Sequence, residues 1–472
     1  MSTVSRRSAL GLLGAGSLGG VTAAGGAERT GADAGVAPPD LSFLRDGPLV
    51  NAPRLRDLMA RTGIDALVMT HPANVFHLTG HWPQLDRMGL ANTAIAVFPR
   101  DPARPVALVM HAFLHYYTHS DETPAGERLV FTYTQPAVPG PAPAQPTTQP
   151  TTLAAESGGE PAAVASRTYA ALDEAKVTER EKRRRAAAAS VRSNSAGPDW
   201  ALAKALRELR LDRGTLGVDD FDLAEMVGAR GLGARCVAGE NTLRRARLVK
   251  SERELRLMRI AARSNVEAAM AAARRARASG TTRMLRADFF TEAARRGNAP
   301  VFMVVDQSSS EVMDAPLRDG QAFAIDCVSS CRFYHGDFAR TVFVGEPDAT
   351  MKRVVAATLQ AWRDIQGSLR AGLRFADIPR IGRESLARQG AGFSISFTPH
   401  SVGLFHTDHP YPTVRDPQPP EALVLEEGMI LSVDCPLGNV GAGGSSHLED
   451  LMLIRKDGAE PIHDVPTNVI VV

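Results

Sequence analysis

At 472 residues the chain exceeds one ordinary domain and is long enough for two. Its residues are 44% hydrophobic and 22% charged, the balance of a globular protein with a sizeable core. The 54 basic and 52 acidic residues leave a formal charge of +2 with both signs scattered, which excludes an extended basic face for nucleic acid or a polybasic membrane anchor.

The N-terminus reads as a targeting segment and is set apart from the fold. Ser5-Arg6-Arg7-Ser8-Ala9-Leu10 opens it, a Gly/Ala/Leu-rich stretch follows to Gly20, and Thr22-Ala23-Ala24 offers small residues for cleavage. The paired arginines read as a twin-arginine export signal over residues 1–27, placing the mature protein in the periplasm or outside the cell. The apolar stretch is too short and glycine-rich to span a bilayer, so no stable membrane span is expected after processing. Removing residues 1–27 takes two arginines and no acid, leaving 52 basic and 52 acidic residues.

Residues 40–246 read as an α/β N-terminal domain. Ala52–Arg61 has helical spacing, with Leu55, Leu58 and Met59 on one face. Asp65–Thr70 is a short apolar strand, Asn74–Gly80 a turn-rich piece, and Thr93–Pro99 and Pro105–His111 two more strands. This alternation predicts a mixed sheet covered by helices. The proline-rich run within residues 135–165 cannot bury enough apolar surface to order itself and reads as a surface insertion. Helix and strand patterns resume at Trp200–Leu211 and Leu216–Asp219, and the Lys/Arg-rich Glu179–Arg185 reads as a solvated helix face.

The second domain, residues 247–472, opens with Ser251 and Glu254 as a capping box. Leu255, Met258, Ala262 and Val266 then form a helical stripe expected to run to about Ala278, with further helices over Met284–Gly297 and Thr350–Arg370. Cys236, Cys327, Cys331 and Cys435 show no metal-ribbon spacing and read as buried thiols, although an oxidising compartment permits a disulfide.

Five residues of this half suggest chemistry. Asp326 ends the apolar strand Ala322-Phe-Ala-Ile-Asp326, and Asp337 follows eleven residues later. A tight turn between them would make an antiparallel hairpin whose register could bring both carboxylates to one face. Asp434 closes a strand in which Ile430 and Ser432 share its face, His447 and Glu449 share another, and His400 lies in a loop between sheet elements. Unpaired carboxylates at strand centres cost several kcal/mol to bury, and divalent ions bridged by them would supply the missing charge. An oxygen-rich set with an imidazole suits Mn, Co, Fe or Zn.

The order Asp, Asp eleven residues on, His, acid, Glu resembles that of the pita-bread metallopeptidases: creatinase, aminopeptidase P and prolidase. Asp337-Phe-Ala-Arg-Thr-Val-Phe-Val-Gly345, Leu425-Glu-Glu-Gly-Met-Ile-Leu-Ser-Val433 and Leu448-Glu-Asp450 are close to that family's patterns, and Arg247–Glu254 resembles the usual entry to its catalytic domain. The resemblance implies an α+β pita-bread catalytic domain after the α/β domain. It also implies Asp326, Asp337, His400, Asp434 and Glu449 as ligands to two ions bridged by Asp337 and Glu449. The implied activity is hydrolysis of a small peptide or amide at the C–N bond by metal-activated water, of the Xaa-Pro type, in a homodimer. Asn74–Trp82 resembles a family segment that approaches the active site, which makes His81 and Trp82 substrate-binding candidates.

The sequence departs from the family at three points. Asp434 stands where Glu is usual, Val304–Met313 lacks the usual catalytic histidine, and His406 and His409 are close to, but not at, the spacing of a second one. His406, His409 and His447 are therefore the catalytic candidates, with His335, Asp306 and Glu311 behind them. A metal-dependent lyase cleaving C–S or C–N bonds on the same fold, or a binding protein without catalysis, are the alternatives.

Overall fold

The computed structural model describes residues 37–88, 93–119, 128–134, 159–161, 170–413, 422–464 and 468–472. The export signal at 1–27 and, apart from residues 159–161, the proline-rich run at 135–165 lie outside the described residues. From Pro38 onward the chain is one contiguous unit.

Its strands sort into three sheets by sequence. Strands β1 (Ala66–Met69), β2 (Ala94–Pro99), β3 (Val106–His111), β4 (Arg128–Tyr133), β5 (Ser193–Ser195), β6 (Thr215–Val218) and β7 (Arg235–Ala238) form a mixed sheet in the order β5-β4-β3-β2-β1-β6-β7. Residues of β1 alternate between two apolar clusters: Ala66 and Val68 join one, Leu67 and Met69 the other. The sheet is thus covered on both faces, as its near-continuous hydrophobic strands require. Asn74–Gly80 is not a turn: Pro72–Thr79 is a helix, with Pro72 in its first turn, the His71 side chain accepting from the Ala73 N–H, and Gly80 left-handed at its end. That proline-start, glycine-stop pattern is a helix signal in its own right.

Strands β8 (Ala299–Val305), β9 (Ala322–Cys331) and β10 (Tyr334–Phe343), with β15 (Val469–Val471), make a second sheet in the order β15-β10-β9-β8. Strands β11 (Thr398–Ser401), β12 (Ile430–Asp434), β13 (Met452–Ile454) and β14 (Ala459–Pro461) make the third in chain order. The helix Glu252–Ala273 begins at the expected capping box: Ser251 accepts from the Glu254 N–H and Glu254 accepts from the Ser251 N–H. It ends at Ala273, and a separate short helix covers Ala276–Ser279. Helix Glu179–Ala189 buries none of its residues, as its composition predicted. The cysteines are free, and Cys327, Cys331 and Cys435 are buried.

Candidate metal centre

The β9–β10 hairpin sets the first two acids. Its two-residue turn places Arg332 at φ 51° and Phe333 at φ 68°, positive at both positions as a I′ turn demands. Neither is the Asn or Gly such a turn prefers, and packing compensates. The Arg332 guanidinium lies 4.4 Å over the Trp82 ring, and Phe333 sits 5.0 Å from the same ring. The resulting register sets Asp326 opposite Ala339 and Asp337 opposite Val328, so both carboxylates share a face, one diagonal step apart.

Glu449 reaches this face from elsewhere in the chain. Ala339 exchanges backbone hydrogen bonds with Glu449 at 3.1 and 3.3 Å, on the side away from Asp326. Asp326, Ala339 and Glu449 therefore form one row across the hairpin, with the small, fully buried Ala339 side chain at its centre. The third sheet closes over the row. In the β11–β12 pair, His400 stands opposite Ser432 and Thr398 opposite Asp434, putting His400 and Asp434 on one face. Ser432 Oγ donates to Glu449 Oε1 at 2.6 Å and fixes that carboxylate.

All five expected ligand side chains converge. His400 Nε2 lies 3.2 Å from Glu449 Oε1, 3.5 Å from Asp434 Oδ2 and 3.6 Å from Asp337 Oδ2. Asp337, His400 and His406 form one group able to share an ion; His400, Asp434 and Glu449 form a second; Asp326, His447 and Glu449 form a third. Asp326 Oδ1, both oxygens of Asp337 and Glu449 Oε2 are buried without hydrogen-bond partners. Four carboxylates gathered with so many oxygens unmatched are a donor set that fits divalent cations.

The electrostatics agree. Burial, then the Glu449 charge, pushes the Asp326 carboxyl up to about 7 and Asp337 well above its ordinary range. Burial would raise Glu449 too, but contacts with His400 and His447 hold it well below the carboxylate range. Burial opposes charge on the imidazoles, yet the surrounding acids lift His400 to about 9 and His447 to about 10.

The catalytic candidates separate. His406 Nε2 lies 3.2 Å from Asp337 Oδ2 and its ring 5.0 Å from that of His400. It lines a cavity of about 530 Å³ together with His400, His409 and Asp434. His409 Nδ1 accepts from the Ser401 N–H at 3.3 Å, which orients its ring along that cavity wall. His447 is buried among the acids and lines a second cavity of about 290 Å³, with Asp326, Asp434 and Gln307. Asp306 and Gln307, both at positive φ, occupy the turn after β8 where an imidazole was missing.

His81 and Trp82 are not brought to the centre. His81 is buried, its pKa pushed down to about 3 by burial and by Arg128, and Trp82 packs on the hairpin turn. Neither lines the two cavities beside the acids. The sequence reading missed Ser432 as a carboxylate-fixing residue and Gln307 as a cavity residue. It also missed the buried network that carries the histidine loop. There, Asp408 accepts from Arg247 Nη2 at 2.8 Å and Nε at 3.0 Å.

The fold is that of the pita-bread peptidases. The structure matches a crystallised dipeptidase from Pyrococcus horikoshii OT3 with a TM-score of 0.61 at 15% identity, over 89% of this chain and 99% of that one. It matches an X-Pro aminopeptidase from Thermotoga maritima MSB8 with a TM-score of 0.60 at 17% identity, over 88% and 100%. Residues 256–456 match the model of metallopeptidase family M24. Among sequence relatives, the Mycobacterium tuberculosis protein named "Probable dipeptidase PepE" is 27% identical over 254 residues, 52% of this chain and 66% of the relative. A Xaa-Pro dipeptidase from Pyrococcus horikoshii is 26% identical over 231 residues, 47% of this chain and 64% of the relative. The matched stretch thus spans just under two thirds of these relatives.

Proposed function

We propose that this protein is a metal-dependent hydrolase of short peptides, of the Xaa-Pro type, with Asp326, Asp337, His400, Asp434 and Glu449 holding two divalent ions. The observation that carries this reading is the convergence of these five side chains with buried carboxylate oxygens left unpartnered. Bound there, divalent ions would polarise the scissile carbonyl and make water nucleophilic at neutral pH. Residues 247–472 are assigned as the catalytic domain and residues 40–246 as the domain that covers it. Export by the twin-arginine route and a homodimeric assembly belong to the same proposal.

The protein's own groups divide the remaining work. His406, a third exposed and beside Asp337, is placed to exchange a proton with the reacting amide. The cavity of about 530 Å³ that it lines is walled by Phe375, Phe397, Pro379 and Pro399, apolar surfaces suited to a proline ring. The exposed Arg383 lies at its rim, where a guanidinium suits the terminal carboxylate of a dipeptide.

A second reading, a lyase on the same fold, rests on Gln307 and Asp306 standing where a catalytic imidazole is usual. The test is a substrate screen on the mature chain supplied with Mn, Co or Zn, using proline-containing di- and tripeptides. Turnover of Xaa-Pro dipeptides, abolished by chelation, is the expected result. Failure on every peptide, with turnover of a sulfonium substrate, would transfer the assignment to the lyase.

A further inference from the structure

His447 sits beside the acids in a way the five-ligand set does not use. Its Nε2 lies 3.6 Å from Asp434 Oδ1 and 3.6 Å from Glu449 Oε2. Its side chain is buried, and its Nδ1 has no hydrogen-bond partner. His400 stands in the mirror position, with its Nε2 near the other oxygens of the same two carboxylates, Asp434 Oδ2 at 3.5 Å and Glu449 Oε1 at 3.2 Å. Both carboxylates are thus split between two imidazoles, one oxygen turned to each.

The two His447 separations, 3.6 Å each, are too long for good hydrogen bonds. They are the spacing of neighbouring donors on one cation: ligands about 2.0–2.2 Å from an ion stand roughly 3–3.5 Å from each other. Residue 434 matters here. An aspartate is one methylene shorter than a glutamate, so it leaves more of the coordination sphere to be filled from elsewhere. Residue 447 lies two before Glu449, and its imidazole groups with Asp326 and Glu449, so it fills that room from the Asp326 side.

We propose that His447 is a metal ligand, so that each of the two ions takes one imidazole: His400 at one position, His447 with Asp326 at the other, and Glu449 between them. This rests on the metal-centre reading above and extends it to a residue until now counted among the catalytic candidates. The nitrogen-richer set would favour Zn or Co over Mn at the second position.

The test uses the full mature chain, stripped with chelator and titrated with Co(II), followed by calorimetry, metal analysis and absorption. In His447→Cys a ligating thiolate gives a thiolate-to-cobalt charge-transfer band in the near ultraviolet above the wild-type baseline. In His447→Gln one of the two ions binds about 10-fold or more weakly, and the Co(II) visible spectrum loses intensity. Only variants with the wild-type far-ultraviolet circular dichroism are read, and the two side chains differ enough in size that one misfolding leaves the other.

Charge-transfer absorption in the cysteine variant, or loss of one ion in the glutamine variant, supports the assignment. Cobalt bound by His447→Cys without the band, or wild-type affinity and spectrum in His447→Gln, overturns it and leaves the five-ligand centre standing. A wild-type chain that takes up no metal overturns both.

Discussion

Replacing Asp408 by Asn should cost about 3 kcal/mol of folding free energy, toward the low end of the range for breaking one partner of a buried ion pair. Asp408 is fully buried, two residues past His406 and one before His409. Its oxygens accept from Arg247 Nη2 and Nε at 2.8 and 3.0 Å and from the Leu404 N–H at 3.1 Å, and Lys250 Nζ lies 3.9 Å away. Asn keeps the shape and removes the charge, leaving the buried Arg247 guanidinium with Asn74 Oδ1 at 2.9 Å and a glutamate at 3.4 Å. That glutamate, Glu240, is shared with Arg244 at 2.8 Å, so its compensation is partial.

Urea unfolding at pH 7 measures the loss. Although burial acts to raise the Asp408 pKa, Arg247 and Lys250 hold it below the ordinary value of 3.8. A depressed carboxylate stabilises the fold above its unfolded pKa and loses that contribution only as pH falls through its folded value. The gap between variant and wild type should therefore be constant from pH 6 to 8. The pair Asp408→Leu with Arg247→Met should cost less than Asp408→Asn alone, because the buried guanidinium is then no longer stranded and Lys250 keeps its bond to the backbone carbonyl of residue 247. A single-variant loss below about 1 kcal/mol, or a double variant costlier than the single, would refute the reasoning.

Metal binding to the chelator-stripped chain should release protons, since His400, lifted to about 9, and Asp326, lifted to about 7, must shed protons to act as ligands. Calorimetry in buffers of different ionisation enthalpy should count them, and apparent affinity should rise from pH 6 to 9. Arg383→Ala should raise KM for a dipeptide about 10-fold while leaving its C-terminal amide nearly unaffected, as steady-state kinetics would show. Glu254 is held up at about 7 by burial, against Lys250 and the Tyr334 hydroxyl, with His77 and Asp408 nearby. A raised carboxyl binds more protons in the folded state, so stability falls as pH rises from about 4.5 to 7. Glu254→Gln should flatten that slope in denaturant titrations at stepped pH.

Much of the centre was legible because local order carries it. The eleven-residue spacing of Asp326 and Asp337 is a hairpin repeat, and strand alternation placed Ser432 with Asp434. What stayed hidden depends on long-range pairing. That Glu449 would line up beside Ala339 is a contact across 110 residues with no periodic signature. The Arg247–Asp408 pair spans 161 residues, and neither residue stands out in its own segment. The I′ turn at Arg332-Phe333 lacks the usual Asn-Gly signal because packing on Trp82, not intrinsic preference, maintains it. Trp82, a substrate-binding candidate by resemblance, thus packs on this turn.

The arrangement also explains how so many acids can occupy one place. A row of Asp326, Ala339 and Glu449 with Asp337 one step behind would repel itself if every carboxylate were ionised and bare. Two remedies operate on the same atoms. Burial and the neighbouring charges favour protons on Asp326, Asp337 and the two imidazoles, and cations bound at the proposed centre would displace them. At Ala339 only a methyl group stands between Asp326 and Glu449 in the row. A larger residue there would keep the hairpin register and Glu449 backbone bonds yet fill the space the ions need. Ala339→Leu should therefore lose metal while retaining β-sheet circular dichroism. Undiminished metal binding in that variant would show that the ions lie outside the row.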